Sequence, residues 1–328
     1  MAKEITKKNN KRIVIVLAFI LLVLLIGYIY FRGQYLEILE IGEKYTEIFW
    51  QNVKYTAIAF SINFIVLFLL IYLTNLKIKK GLKAFFEDDK KPMPKLVNKS
   101  IAFISSIIIS ALTTNIMLKN FMLCFNSASF EIADPIFGYD ISYFIFQKPF
   151  IEFMLIYILL LVVGLTIYTV IYYIISFNIF FDGVSREILR NSHFTKQLVS
   201  HIIIIVILLA SLTYIGIQDM EVNKFLTLKD GTSYSIYGAG FADVTIRLWG
   251  YKILTIVMVV SIILAVIFFK KGKTKNVIKS LLVVPTYLIG MLLVLLITQT
   301  VFVNPNELDK EKSYITKNIE YTKKAYGI

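Results

Sequence analysis

The sequence predicts an all-α integral membrane protein of seven transmembrane helices, with its N-terminus inside, its C-terminus outside, and structured outer loops and interfacial helices. Three observations carry this. The 328 residues are 57% hydrophobic, against about 45–50% in soluble domains, and the mean hydropathy is +0.72. Seven apolar runs, at about 13–31, 56–75, 100–118, 149–177, 198–218, 251–269 and 280–302, are long enough to cross a hydrocarbon core of about 30 Å as helices. Charge alternates between the connections: one side holds 21 of the 35 lysines and arginines but only 6 of the 22 acids, giving it +15 and the other side −2.

The sixth and seventh runs set the orientation. They are joined by 270–279, which has five lysines in ten residues, and the excess of cations marks that turn as cytoplasmic. The polar stretches before 251 and after 302 then lie outside, and the rest of the chain threads from there. The N-terminus, MAKEITKKNNKR, is basic like a signal peptide. The apolar run behind it, however, is 19 residues long and ends in YIYFRGQY without a small-x-small cleavage site, so it reads as an uncleaved first span. The net charge of +13 is accounted for by topology and by contact with an anionic inner leaflet; a nucleic-acid partner is not expected. Cys124 is the one cysteine, which excludes an intramolecular disulfide. One cysteine and two histidines are too few soft ligands for a zinc or iron–sulfur site, so no metal and no cofactor is expected.

The connections follow in order. In 32–55, Leu36, Leu39, Trp50 and Val53 alternate with four glutamates, which suits an amphipathic helix at the interface. Glu37, Glu40, Glu43 and Glu47 would share one solvated face of it, with cation binding as the alternative, and Tyr45, Trp50 and Tyr55 fit an aromatic belt. The cytoplasmic segment 76–99 holds eight lysines against Glu87, Asp88 and Asp89, with Pro92 and Pro94, and reads as a solvated, partly helical surface. The segment 126–150 is aromatic and sparsely charged, punctuated by Pro135, Gly138 and Pro149, and is expected to lie on the outer membrane surface or re-enter slightly. In 219–250, Asp230-Gly231 and Gly238-Ala239-Gly240 signal turns. The second could suggest a phosphate loop, but no strand is evident before it and no Lys-Ser/Thr follows, so a structural turn is the reading. Asp243 and Arg247 stand four apart, as an ion pair anchoring this loop or as part of an outer docking surface with Asp134 and Asp140. In 303–328, Asn306 can cap a helix that has Glu307 and Asp309 in its first turn and Lys323 and Lys324 near its end. Leu308, Ile315, Ile319 and Tyr326 fall on one face of it, and nothing else in the sequence offers that face a partner.

Ionisable and amide groups within spans mark transport paths or helix-packing hydrogen bonds. The candidates are Asn63, Asn115 and Gln299, with Glu152 at the outer start of the fourth span and His201 near the inner start of the fifth. These last two are separated by most of the bilayer, so they cannot pass a proton between them. Pro285 kinks the seventh span or marks a discontinuous helix. No internal repeat and no Gly-x-x-x-Gly motif occurs. No Ser–His–Asp, Cys–His or paired-carboxylate set is present, so an enzyme is not expected.

Three stretches, FGYDISYFIFQKPF (137–150), GAGFADVTIRLWGYKIL (238–254) and VNPNELDKEKSYITKNIEYTKKAYGI (303–328), resemble segments of a large family of bacterial multi-pass membrane proteins. That family is known only as an uncharacterised family of the "UPF" series. EKYTEIFWQNVKYTAIAF (43–60) is similar to its first outer loop and second span. The resemblance implies a membrane half, 1–302, followed at 303–328 by an amphipathic helix that begins a large extracytoplasmic domain. The family supplies no activity, cofactor or catalytic residue. The expected role is an anchoring and assembly module in the cell membrane for that domain or for envelope partners. The alternative is a transporter or lipid-handling channel component.

Overall fold

The computed structural model describes residues 2–88, 90, 93, 98–180, 192–221, 224–230 and 232–328, giving the backbone alone for much of 2–23 and for 224–237. Asp89, Pro92, Pro94, Gly231 and most of the connection 178–197 lie outside the described residues. The helices are α1 (Ala2–Ile41), α2 (Thr46–Asp88), α3 (Asn98–Phe125), α4 (Lys148–Phe180), α5 (Ser192–Gly216), α6 (Leu248–Lys270), α7 (Thr274–Ile297) and α8 (Glu307–Tyr326). Six helical stretches among the described residues are long and apolar enough to cross a membrane: Glu43–Glu87, Asn98–Phe125, Tyr143–Phe180, His193–Met220, Asp243–Lys270 and Thr274–Tyr326. The expected first span falls within α1. The extension of α2, the end of α4 and the start of α5 pack together at one end of the bundle, the lysine end. The segments 126–147, 217–220 and 239–247 gather with α8 at the other, the tail end.

The segment 32–55 does not form a separate interfacial helix. The apolar periodicity of the first run carries α1 on to Ile41. Gly42 then breaks the chain at φ 150°, and a 3₁₀ turn, Glu43–Tyr45, leads directly into α2. Glu37 and Glu40 therefore lie on one helix and Glu47 on another, with Glu43 in the turn, so the four do not share a face. An aromatic cluster fastens the joint: Phe31 and Tyr35 of α1 meet Phe49 and Trp50 of α2 at centroid distances of 5.2 to 6.1 Å. Beyond it, the described apolar side chains between residues 21 and 30 are all more than half exposed.

The segment 76–99 also departs from the expected solvated surface. α2 runs 43 residues, roughly 65 Å and twice the hydrocarbon thickness. Its extension buries Ile78, Leu82 and Phe86 against Tyr173, Phe177 and Phe194 of α4 and α5. Four-residue spacing of apolar groups among the lysines gives the extension its buried stripe. Within the bundle, α3 meets α2 through Ala102, Ser106, Ser110 and Thr114, each 2% exposed or less and each one turn from the next. Small residues at this spacing let two backbones approach closely in lipid. α6 and α7 form a hairpin beside α5, closed around Gly250, whose carbonyl accepts a hydrogen bond from the Tyr287 hydroxyl at 3.0 Å.

The all-α class holds for the bundle, while the connection 219–250 adds a two-stranded antiparallel hairpin, β1 (Lys224–Asp230) and β2 (Thr232–Tyr237). The absence of a strand before Gly238 was therefore a wrong expectation. The Leu226, Leu228 alternation and the Asp230-Gly231 turn are its sequence signals.

Candidate functional site at the tail end

The tail end is built from three segments that meet where α4 and α6 begin and α7 ends. At each of these places the helix takes a π-helical turn: Tyr143–Gln147, Asp243–Arg247 and Thr298–Val303. Such turns carry i→i+5 bonds, are rare, and occur often at functional sites.

Two aspartates organise the first segment. The Asp140 carboxylate accepts from the Ser129 hydroxyl at 2.6 Å and from the backbone N–H of Phe130, Glu131 and Ser142 at 3.1, 2.9 and 2.8 Å. These bonds, led by that of Ser129, hold its carboxyl well below the usual carboxylate range. They also pin Glu131 in a left-handed conformation, φ 59°. Asp134, 9% exposed, accepts from the N–H of Ile136 and Phe137 at 3.0 and 2.6 Å, and Gly138 turns the chain at φ 73°.

The second segment is tied to the first by a cation. Lys148, at the start of α4, is 6% exposed; its ammonium pairs with Glu152 one turn on, at 2.8 Å, and with Asp219 at the end of α5. An apolar patch of Ile217, Met220, Ala239 and Leu248 packs beneath, with Ile136 and Phe137 from the first segment.

The third segment, α8, docks by its polar face. Glu311, 3% exposed, accepts the Phe241 N–H at 3.0 and 3.2 Å. Phe241 opens the helical turn that becomes α6, so a carboxylate 70 residues away caps the N-terminus of that helix, where orphan N–H groups and the helix dipole favour an anion. The Lys310 ammonium lies 5.4 Å from the Phe241 ring centroid, and the Tyr321 hydroxyl donates to the Ala133 carbonyl at 3.2 Å. Between α8 and the two loops lies a cleft of about 460 Å³, lined in part by Asp134, Ala239, Tyr314 and Lys317. Of the face expected to pack, Leu308, Ile319 and Tyr326 are instead turned outward, 78%, 51% and 78% exposed, while Ile315 is half-buried.

Asp243 and Arg247 form the i,i+4 pair, 2.6 Å apart, and Asp243 also accepts the Gly240 N–H at 3.2 Å. Asp134, Asp140, Asp243 and Glu152 thus all lie in the tail-end assembly, together with Lys148, Asp219 and Glu311, which sequence reasoning did not single out. His201 lies far from them. It is 9% exposed, a turn beyond Gln197, which bonds Thr169, seventeen residues or roughly 25 Å along α4 from Glu152. Asn63 bonds Thr113 and Tyr157, Gln299 bonds Asn304 in its own segment, and Asn115 and Pro285 are exposed on α3 and α7. No hydrogen bond joins any two of these four among the described residues. The lysine-side pair Asn75 and Asn98, both buried and bonded to each other, escaped notice because both sit at the ends of apolar runs.

These features describe a helical protein with six helical stretches, among the described residues, long and apolar enough to cross a membrane, and with a polar assembly at its tail end. Residues 12–328 match the Uncharacterised protein family (UPF0182), and the chain belongs to that family. Curated relatives include three UPF0182 proteins that are each 28% identical to it. That of Caldicellulosiruptor saccharolyticus aligns over 335 residues, covering 98% of this chain and 36% of its own length. Those of Clostridium tetani and Clostridium kluyveri cover 87% and 94% of this chain and 32% and 36% of their own. The chain spans about a third of the length of these relatives. No solved structure matches it.

Proposed function

We propose that this chain is the membrane-anchoring and assembly module of a longer envelope protein. On this reading it spans the cell membrane seven times, α1 included, with the lysine end in the cytoplasm, and its tail end is a platform for an extracytoplasmic domain or envelope partner. It carries no catalytic role. The observation that carries the reading is α8: its polar face is fixed to the platform by Glu311 and Tyr321, while Leu308, Ile319 and Tyr326 are presented outward. Exposed apolar side chains on an ordered, docked helix mark a contact surface. The length of the relatives is consistent with a further domain to meet it. The orientation rests on the positive-inside bias.

Two experiments test this. In a Cys124→Ser background, a membrane-impermeant maleimide applied to intact cells is expected to label Leu308→Cys and to leave Lys271→Cys unlabelled until the cells are opened. The reverse pattern overturns the orientation. A photo-reactive residue at Ile319 in a full-length relative is expected to cross-link to protein outside the seven spans. Cross-links to lipid alone would sink the platform reading.

A further inference from the structure

An apolar groove on α2, α3 and α4 lies between two polar knots. In one knot Asn63 donates to Thr113 at 3.0 Å and accepts from the Tyr157 hydroxyl at 2.8 Å. In the other, the Asn75 and Asn98 side chains each donate to the other's backbone carbonyl, at 2.9 and 3.4 Å. The Tyr168 hydroxyl donates to Asn75 Oδ1 at 2.7 Å and the Tyr172 hydroxyl to Asn98 Oδ1 at 3.1 Å. Asn63 and Asn75 are twelve residues apart on one continuous helix, roughly 18 Å of rise. One leaflet of a bilayer has about 15 Å of hydrocarbon. The space between the knots is therefore as long as one lipid chain.

The groove holds about 240 Å³. Leu67 and Ile71 form its floor, Ile101 and Ser105 one wall, and Leu161 and Gly164 the other. Gly164 makes the opening: a Cβ built there would meet nothing within 4 Å. In water such a slot would be an aggregation liability; at membrane depth its natural occupant is hydrocarbon. The groove ends at the knot of the lysine end, where Tyr168 both lines it and bonds Asn75. Lys77 is two residues from Asn75 and Lys99 adjoins Asn98, and both are exposed. Cations at that height attract the phosphate of an anionic headgroup.

We propose that this groove seats one acyl chain of an anionic phospholipid from the lysine-side leaflet, held as a fixed component of the fold. The site is independent of the anchoring role: it requires neither an outer domain nor a partner. The test reconstitutes the full chain into vesicles of phosphatidylcholine and phosphatidylglycerol, re-extracts it in mild detergent, and counts retained phospholipids by native mass spectrometry. One phosphatidylglycerol per chain is expected for the wild type. Gly164→Leu, which fills the slot, is expected to lose it. Leu112→Trp, at a lipid-facing position 71% exposed on α3, is expected to keep it. Ser105→Phe enters the slot from the opposite wall and decides the matter if Gly164→Leu fails to retain its helix content. A wild type that retains no phospholipid, or filled variants that retain as much as wild type, would overturn the proposal. Joint Lys77→Gln and Lys99→Gln substitution is expected to remove the preference for phosphatidylglycerol; equal retention of both lipids by the wild type would overturn the choice of headgroup.

Discussion

Lys148 and Asp219, 71 residues apart in sequence, meet as a hydrogen-bonded ion pair where α4 begins and α5 ends. With Glu152 as second partner, the single cation ties together the two connections that carry most of the tail-end structure. Lys148→Ala leaves two carboxylates facing each other. Removing one partner of a fully buried pair costs about 3–5 kcal/mol. Here the carboxylates are 29% and 49% exposed, and water screens them, so a loss of about 1–3 kcal/mol is expected from unfolding in micelles. Combined with Asp219→Asn, the double variant should be less than additive.

Gly81 and Gly250 both sit at close helix crossings, yet alanine should affect them differently. A Cβ on Gly81 would run into the Tyr173 hydroxyl, with the ring carbon Cζ at 3.2 Å and His193 Cβ at 3.3 Å, and Tyr173 is 2% exposed in the lysine-end cluster. A Cβ on Gly250 would meet only Met291, its Sδ at 2.6 Å and Cγ at 2.8 Å, an unbranched side chain that can turn aside. Overpacking costs about 1–3 kcal/mol, while glycine to alanine in a helix returns up to about 1 kcal/mol. Gly81→Ala should therefore lower the melting temperature clearly and Gly250→Ala leave it nearly unchanged.

Glu311→Ala strips the start of α6 of its acceptor and leaves the Phe241 N–H facing a void. A cost of about 1–3 kcal/mol is expected, felt as undocking of α8 before the bundle unfolds. Hydrogen exchange should quicken at Phe241 and along α8 and stay unchanged in α2 to α5. Glu311→Gln keeps an acceptor and should fall between the variant and the wild type.

The Asp140 hydrogen bonds lower its pKa in the folded state, led by the bond from Ser129. A depressed carboxyl contributes stability that is present above the unfolded value, about 3.9, and lost as pH falls through the folded one. The loop 126–142 should therefore keep its exchange protection at pH 5 and lose it progressively below about pH 4. Asp140→Asn, with one acceptor oxygen in place of two, should release the same amides at neutral pH.

Six of the seven apolar runs were legible as long helices because lipid imposes a length and a polarity on every helix that crosses it. What eluded sequence reasoning depended on partners distant in the chain. Glu311 reads as one acid among several until Phe241 is placed against it, and Lys148 as one more outer lysine until Asp219 is. The outward turn of Leu308 and Tyr326 inverts the usual rule that the apolar face docks, because on this platform the free groups are backbone N–H and C=O. The ridge Ala102, Ser106, Ser110, Thr114 was readable at four-residue spacing, but glycine is not its small residue. The merging of α1 and α2 through one turn left no room for the interfacial helix that the glutamate spacing invited.

The extension of α2 past Asn75 has a thermal consequence. Ile78, Leu82 and Phe86 bury against α4 and α5 beyond the end of the apolar run, which on the proposed membrane placement is ground that water reaches when the cluster opens. Their contribution carries the large heat-capacity change of apolar hydration and weakens on cooling. Between the knots, lipid tails are as apolar as the side chains they replace, and that signature is absent. Chilled membranes should loosen the lysine end while the bilayer-embedded packing of the same helices stays firm, so one continuous helix answers to two different solvents.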